Sequence, residues 1–374
     1  MTKIFSKEDT LAVKGIAILL MFYHHCFLKM ERFENYTISS LIFSDAQIVY
    51  LAQFCKICVG MFVFLSAYGM TFSYRKKSLE YDLSRKECTA ITMRRYLKMM
   101  SGYWFIFVLV QIFAFFYDRE RILYKYSGGL WAGGGKFFLD MIGLSDLFGT
   151  SKFIPTWWYM SLAIVLIFVM PFLLRGYAKI GGLMVPLAVL LPRALHLQWD
   201  KSDLLRWMLC IILGIWFADR NIFERIMEWK LSQKKAVRVG IFLLSVIGLL
   251  VCIKVRQSVF GEEFLDIMDG VVPAYVIVFC YLYIIQIKYL RQVLMFLGKH
   301  SMNMFLTHTF LRAVWLDKFI YAWNNVVLIV LVLTLTSLAL SIVIEFLKKI
   351  LHYNTLTEQA VQRVVTYIYG SKTF

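Results

Sequence analysis

The sequence predicts an all-α fold, a polytopic transmembrane helix bundle of about ten spans, and three observations predict it. Of 374 residues, 60% are hydrophobic and 17% charged, against roughly 45–50% and 25% in an average soluble domain. The apolar residues gather in runs, most of them near the roughly 20 residues that a bilayer requires. The basic residues gather in alternate connections between those runs, as the positive-inside rule demands. The formal charge of +17 thus has a membrane explanation, and no nucleic-acid partner is expected.

Ser6-Lys-Glu-Asp9 reads as a capping box that starts the first helix, whose apolar run covers 11–27. It has two His at its far end and no small-residue cleavage site, so it is expected to stay as a span. Further runs cover 48–72, 99–117 and 157–174, then a short fifth at 182–191 that a tilted or re-entrant segment would also explain. Runs at 204–218, 236–253, 271–287, 302–320 and 326–346 complete the set, the sixth also being short.

Connection charge orients them. Residues 75–98 hold eight Lys/Arg against three Asp/Glu, 219–238 six against three, 288–299 three against none, and 346–374 four against one. The intervening connections at 29–46, 118–152, 193–203 and 254–269 hold two against three, five against four, two against two and two against four. Both termini are therefore expected in the cytoplasm, with 1–374 as a single membrane domain in the cell membrane and about 347–374 as a cytoplasmic tail.

Several polar groups lie where apolar ones are expected. Lys14 and His25 are eleven residues apart in the first run, which returns them to within roughly 20° of one helix face, about 16 Å apart along it. Ionisable residues in spans mark functional paths, although Lys14 also fits a snorkelling lysine and His25 a hydrogen-bonded structural one. His24 lies about 100° around the helix. In the second run Lys56 sits near the outer end, Ser66 and Ala67 allow close helix approach, and Tyr68 follows them. Cys55 and Cys58 form a C-x-x-C with no second pair, and the seven Cys are scattered, so neither a disulfide framework nor a metal site is expected.

Arg94, Arg95 and Lys98 stand at the mouth of the third run. They read equally as topology determinants and as a phosphate grip, with Arg95 and Lys98 at i, i+3 on one face. The Gly-rich stretch 128–136 lacks P-loop spacing and reads as a flexible outer loop. Trp157 and Trp158 open the fourth run, as an interfacial aromatic belt or a sugar-stacking platform. Asn303 and His308 are polar groups of the ninth run that hydrogen bonds across helices would also explain.

Taken in order, Lys14-x10-His25, Phe64-Leu-Ser-Ala-Tyr68, Arg94-Arg95-Tyr-Leu-Lys98, Trp157-Trp158-Tyr159-Met-Ser161 and Gly298-Lys-His-Ser301…Phe305-Leu-Thr-His308 resemble the acyltransferase-3 family of integral-membrane O-acyltransferases. The likeness spans nearly the whole chain. It implies transfer of an acyl group, commonly acetyl from acetyl-CoA as co-substrate, to hydroxyls of a saccharide acceptor such as surface polysaccharide or its lipid-linked precursor. It aligns His25 with the family's essential histidine, Lys14 with its basic partner, and Arg95 with Lys98 as its R-x-x-R pair. Lys replaces the usual Arg at 14 and 98, which keeps the charge and loses the bidentate fork, and the usual Ser-Gly-aromatic reads Ser66-Ala67-Tyr68. A histidine in a dry bundle suits this chemistry as general base or as acyl carrier. A transporter or flippase for a glycan or lipid intermediate would use the same polar groups as a path, but the paired repeats common in transporters are not evident.

Overall fold

A computed structural model describes residues 5–36, 38–39, 42–195, 197 and 204–370. Among these the chain is helical, and its one extended pairing is an isolated bridge between Ser39 and Asn325. In chain order the helices are α1 (Lys7–Phe27), α2 (Asp45–Phe54), α3 (Cys58–Arg75), α4 (Arg85–Tyr117), α5 (Arg119–Lys125) and α6 (Gly129–Met141). Next come α7 (Trp158–Ile180), α8 (Met184–Ala194), α9 (Met208–Arg220), α10 (Ile222–Ser232) and α11 (Lys235–Arg256). The last are α12 (Val259–Glu263), α13 (Leu265–Phe279), α14 (Lys288–Ala313), α15 (Asp317–Tyr321), α16 (Val326–Ile350) and α17 (Tyr353–Tyr369).

Seven segments are long and apolar enough to cross a membrane: Lys7–Phe27, Asp45–Arg75, Arg85–Tyr117, Pro155–Ala194, Lys235–Arg256, Leu265–Ile284 and Val326–Ile350. The protein is therefore an integral membrane protein, as its apolar runs predict. The expected count of about ten spans is not confirmed, because α9 is 13 residues long, α8 only 11, and α14 carries too many polar groups to qualify by hydropathy.

Several boundaries differ from expectation; α4 begins at Arg85, so Arg94, Arg95 and Lys98 lie within it rather than in a loop before it, and three others have clear physical reasons. Residues 288–299, expected as a basic loop, are the opening turns of α14. Leu290, Leu294 and Leu297 fall at i, i+4 and i+7, and that apolar stripe makes a helix despite the flanking Lys288, Arg291 and Lys299. The expected Gly-rich loop is instead the start of α6, entered through Gly128 at φ 113°. At Gly133 a Cβ would collide with the Tyr126 carbonyl oxygen, so the glycine there permits a close chain approach. The second run is broken by a 3-10 turn at Cys55–Ile57 between α2 and α3.

The helices divide into two compact units. The first comprises the described residues of Met1–Phe72, Gly182–Gln198 and Leu205–Ala339, and the second those of Ser73–Gly181, Trp199–Leu204 and Leu340–Phe374.

Candidate active site

In the first unit α1 and α14 form the closest pair. The capping box at Ser6 is present, with Asp9 accepting from the Ser6 amide at 2.9 Å. Fully buried Asp9 and exposed Glu8 both pair with Arg291 at 3.0 Å. Farther along, a Cβ at Gly15 would strike the Leu294 carbonyl, and one at Gly298 the Leu11 carbonyl. The contacts climb together from Asp9–Arg291 to Phe22–His308, so the two helices run parallel with their backbones touching at two glycines.

That register sets three imidazoles side by side. The His25 ring lies 4.9 Å from that of His308 and 5.0 Å from that of His24, centroid to centroid. His24 donates from Nδ1 to the Ala52 carbonyl at 2.7 Å, and His308 from Nδ1 to the Phe305 carbonyl at 2.8 Å. These carbonyl acceptors fix both as Nδ1–H tautomers, and the Thr309 hydroxyl, 3.2 Å from His308 Nε2, then donates to it. His25 differs. Its ring makes no hydrogen bond to the described residues, it is partly exposed, and only its backbone carbonyl is tied, by Arg32 Nη1 at 2.5 Å. An imidazole with both nitrogens uncommitted can accept and return a proton or attack a carbonyl.

Beyond His25 the first unit holds cations that sequence reasoning passed over. Arg312 is 8% exposed, its Nε has no partner among the described residues, and its guanidinium bonds the Tyr321 hydroxyl, which donates to the Cys26 carbonyl at 3.0 Å. Burial, and then the neighbouring Arg312 charge, push Arg32 below the ordinary guanidinium value. A signal was available, because Arg312 follows His308 by four residues and so shares its helix face. Arg32 carries none, since it reads as an ordinary loop residue.

Asp269, fully buried on α13, was also missed. It accepts from Arg206 at 3.1 and 2.6 Å and from Arg256 at 3.0 and 2.6 Å. Two guanidiniums on one carboxylate tie the segment before α9 and the end of α11 to α13, with one positive charge in excess. Lys14, Lys56 and Ser66 are half-buried, Asn303 is buried on α14, and Tyr68 is buried in an aromatic cluster with Phe5, Phe64 and Phe223.

In the second unit Arg94 and Lys98, both exposed, converge on Glu358 of α17 at 3.3 and 2.9 Å. The Lys98 contact holds Glu358 below the ordinary carboxylate value. Arg95 lies on another face, with Nη1 3.4 Å from the Ser73 hydroxyl. Here Lys98 shares its anion with Arg94 at i, i+4, in place of the expected i, i+3 partner Arg95. Trp157 is 2% exposed and sits 5.2 Å from Tyr103, which removes it from both the belt and the platform readings, while Trp158 is half-buried. Nearby Asp140, 1% exposed, accepts from the Tyr126 hydroxyl at 2.8 Å, the Phe153 amide at 2.7 Å and the Ser145 hydroxyl at 3.3 Å. Burial outweighs these bonds and raises its pKa to about 6.

Compared with known proteins, the chain matches the family model of an acyltransferase domain over residues 12–346, nearly its whole length. No curated protein and no solved structure matches it.

Proposed function

We propose, for a chain that belongs to the acyltransferase-3 family and is therefore a membrane acyltransferase, that it moves an acetyl group from acetyl-CoA to a hydroxyl of a cell-surface or lipid-linked saccharide. One observation carries the assignment of the chemistry to His25: it is the partly open imidazole of the three, and its ring nitrogens are uncommitted while its neighbours' Nδ1 atoms are engaged. His25 takes the proton of the acceptor hydroxyl as its oxygen attacks the thioester carbonyl. A C–O bond forms, the C–S bond breaks, and the departing thiolate recovers the proton from the imidazolium. In the covalent variant the His25 nitrogen attacks first, the C–S bond breaks and CoA thiolate leaves, and the acyl-imidazolium passes its acyl group to the hydroxyl oxygen, whose proton goes to the thiolate.

Arg94 and Lys98 hold the CoA phosphates in this reading, at the cytoplasmic end of α4. Their convergence on the Glu358 carboxylate supports it, because two cations spaced to share one oxyanion suit another. Arg95 adds a third positive charge, and Lys14 marks the cytoplasmic part of the His25 stripe. Membrane lipids are the remaining partner.

The experiment uses purified protein in lipid, radiolabelled acetyl-CoA and a glycan extract, with wild type compared with His25→Ala. Wild type is expected to label carbohydrate, and the variant to lose roughly 100-fold or more in kcat. Absence of label from both carbohydrate and protein would overturn the acetyl-transfer reading. Full activity in His25→Ala would remove His25 alone. Label trapped on wild-type protein during a single turnover selects the acyl-histidine route.

A further inference from the structure

The ends of α1 and α14 beyond the histidines hold two guanidiniums, Arg312 buried and Arg32 half-buried, and the carboxylate that acts on Arg32 is that of exposed Glu31, which forms no ion pair with it. Arg32 is tied to the His25 carbonyl and Arg312 to the Tyr321 hydroxyl, both neutral acceptors. Neither forms an ion pair with any described residue. Both act electrostatically on His25 and on Cys26, which places the two charges at one end of the helix pair. The other buried guanidiniums near α2 and α13 are different, because Arg206 and Arg256 share Asp269. Burying like charges together without a counter-ion is unfavourable. The negative ends of the two parallel helix dipoles offset part of that and leave a site that favours a bound anion.

We infer that the saccharide acceptor is anionic, and that Arg32 and Arg312 bind its carboxylate or phosphate so that a neighbouring hydroxyl meets His25. This rests on the acetyl-transfer reading and adds the charge class of the acceptor to it. Guanidinium forks suit both groups, because each presents paired oxygens to parallel N–H donors. The short tie from Arg32 to the His25 carbonyl means that an anion held there is positioned relative to the imidazole. The same chemistry is carried by the phosphates of CoA, so donor and acceptor must be separated by measurement.

The test uses the full chain in nanodiscs, with trigalacturonate, glucose 1-phosphate and neutral maltotriose as probes, each in a binding assay and an acetyl-transfer assay. Wild type is expected to bind one or both charged probes at least about tenfold tighter than maltotriose, the scale of one charge-assisted hydrogen bond. The preference is expected to fall with added salt. Arg312→Gln and the double variant Arg32→Gln/Arg312→Gln should erase it, whereas Arg312→Lys, which keeps the charge, should retain most of it and also reports that the fold tolerates change there. The KM for acetyl-CoA should move less than twofold in Arg312→Gln.

Equal binding of charged and neutral probes by wild type overturns the inference, as does a charge preference that survives in the double variant. A tenfold rise in the acetyl-CoA KM with the probe preference unmoved assigns the pair to the donor phosphates and also overturns it. Transfer to maltotriose alone sinks the anionic acceptor and leaves acetyl transfer standing. Charge-dependent binding with no transfer to any acceptor does the reverse.

Discussion

Adjacent histidines on one helix face different fates because their hydrogen bonds differ. His24 donates to Ala52, while the ring of His25 makes no hydrogen bond to the described residues. His24→Gln can keep a side-chain N–H to the Ala52 carbonyl, so it is expected to retain activity within about tenfold, against the far larger loss in His25→Ala. Comparable losses in kcat for both would show that the pair works as a unit. Asp140 gives a second prediction at this scale, through pH. Its folded pKa of about 6 lies above the ordinary carboxylate value of 3.8, so the folded state binds the proton more tightly than the unfolded one. That contribution is complete below about pH 4 and is lost as pH rises to about 6, a change on the order of 3 kcal/mol. Thermal unfolding at pH 4, 5, 6 and 7 should show the decline in wild type and a flatter profile in Asp140→Asn, and parallel profiles would refute it. Of the candidate site, the sequence pointed to Lys14, His25 and His308 because charge and imidazole stand out in apolar runs, and the structure brings His25 and His308 together. It hid Arg32, whose importance depends on where the chain turns after α1, and Asp269, whose partners lie 63 and 13 residues away.

The α1–α14 pair is held by close backbone contact, and that contact sets the spacing of the histidine rings. A side chain at Gly298 meets the Leu11 carbonyl oxygen, a backbone atom that cannot swing aside. Gly298→Val should therefore force the helices apart, destabilise the protein by about 1–3 kcal/mol or more, and reduce kcat even in molecules that remain folded. Gly240→Val on α11, where a Cβ meets nothing within 4 Å, is the control, and equal effects at both positions would dismiss the contact. The second unit has its own element-scale device. Because α17 lays Glu358 against Arg94 and Lys98, and these side chains are 43–48% exposed, the contact is weak and replaceable. Glu358→Gln should lower the KM for acetyl-CoA at low salt, an effect that fades as salt rises; an unchanged KM would argue that the CoA phosphates bind elsewhere. Helix positions were legible wherever apolar runs were long, as at α1, α11 and α16. They were misread at 288–299 and 128–136, where Lys, Arg and Gly masked helices whose stability comes from tertiary contact.

At the scale of the whole molecule, the number of crossings decides on which side each terminus lies. Seven segments qualify by length and hydropathy, and an odd number alone would place the termini on opposite faces. α14 is expected to add an eighth, since it runs parallel to α1 along its length and a spanning α1 would carry its partner across with it. Its polar groups are sheltered there, with Asn303, Thr307 and His308 all buried, which explains why hydropathy undervalues it. α8 and α9 are each shorter than a bilayer requires, so they cross as two tilted helices or turn back together. The expected total is ten in the first case and eight in the second, with even parity in both. Both termini are thus expected on one side, and the basic connections at 75–98 and 219–238 predict that it is the cytoplasm. A fluorescent protein fused after Gly370 should be bright and alkaline phosphatase there inactive. Phosphatase inserted near Gly128, between α4 and α7, should be active. The opposite pattern at Gly370, with phosphatase active near Gly128, would mean an odd number of crossings and would overturn the even count.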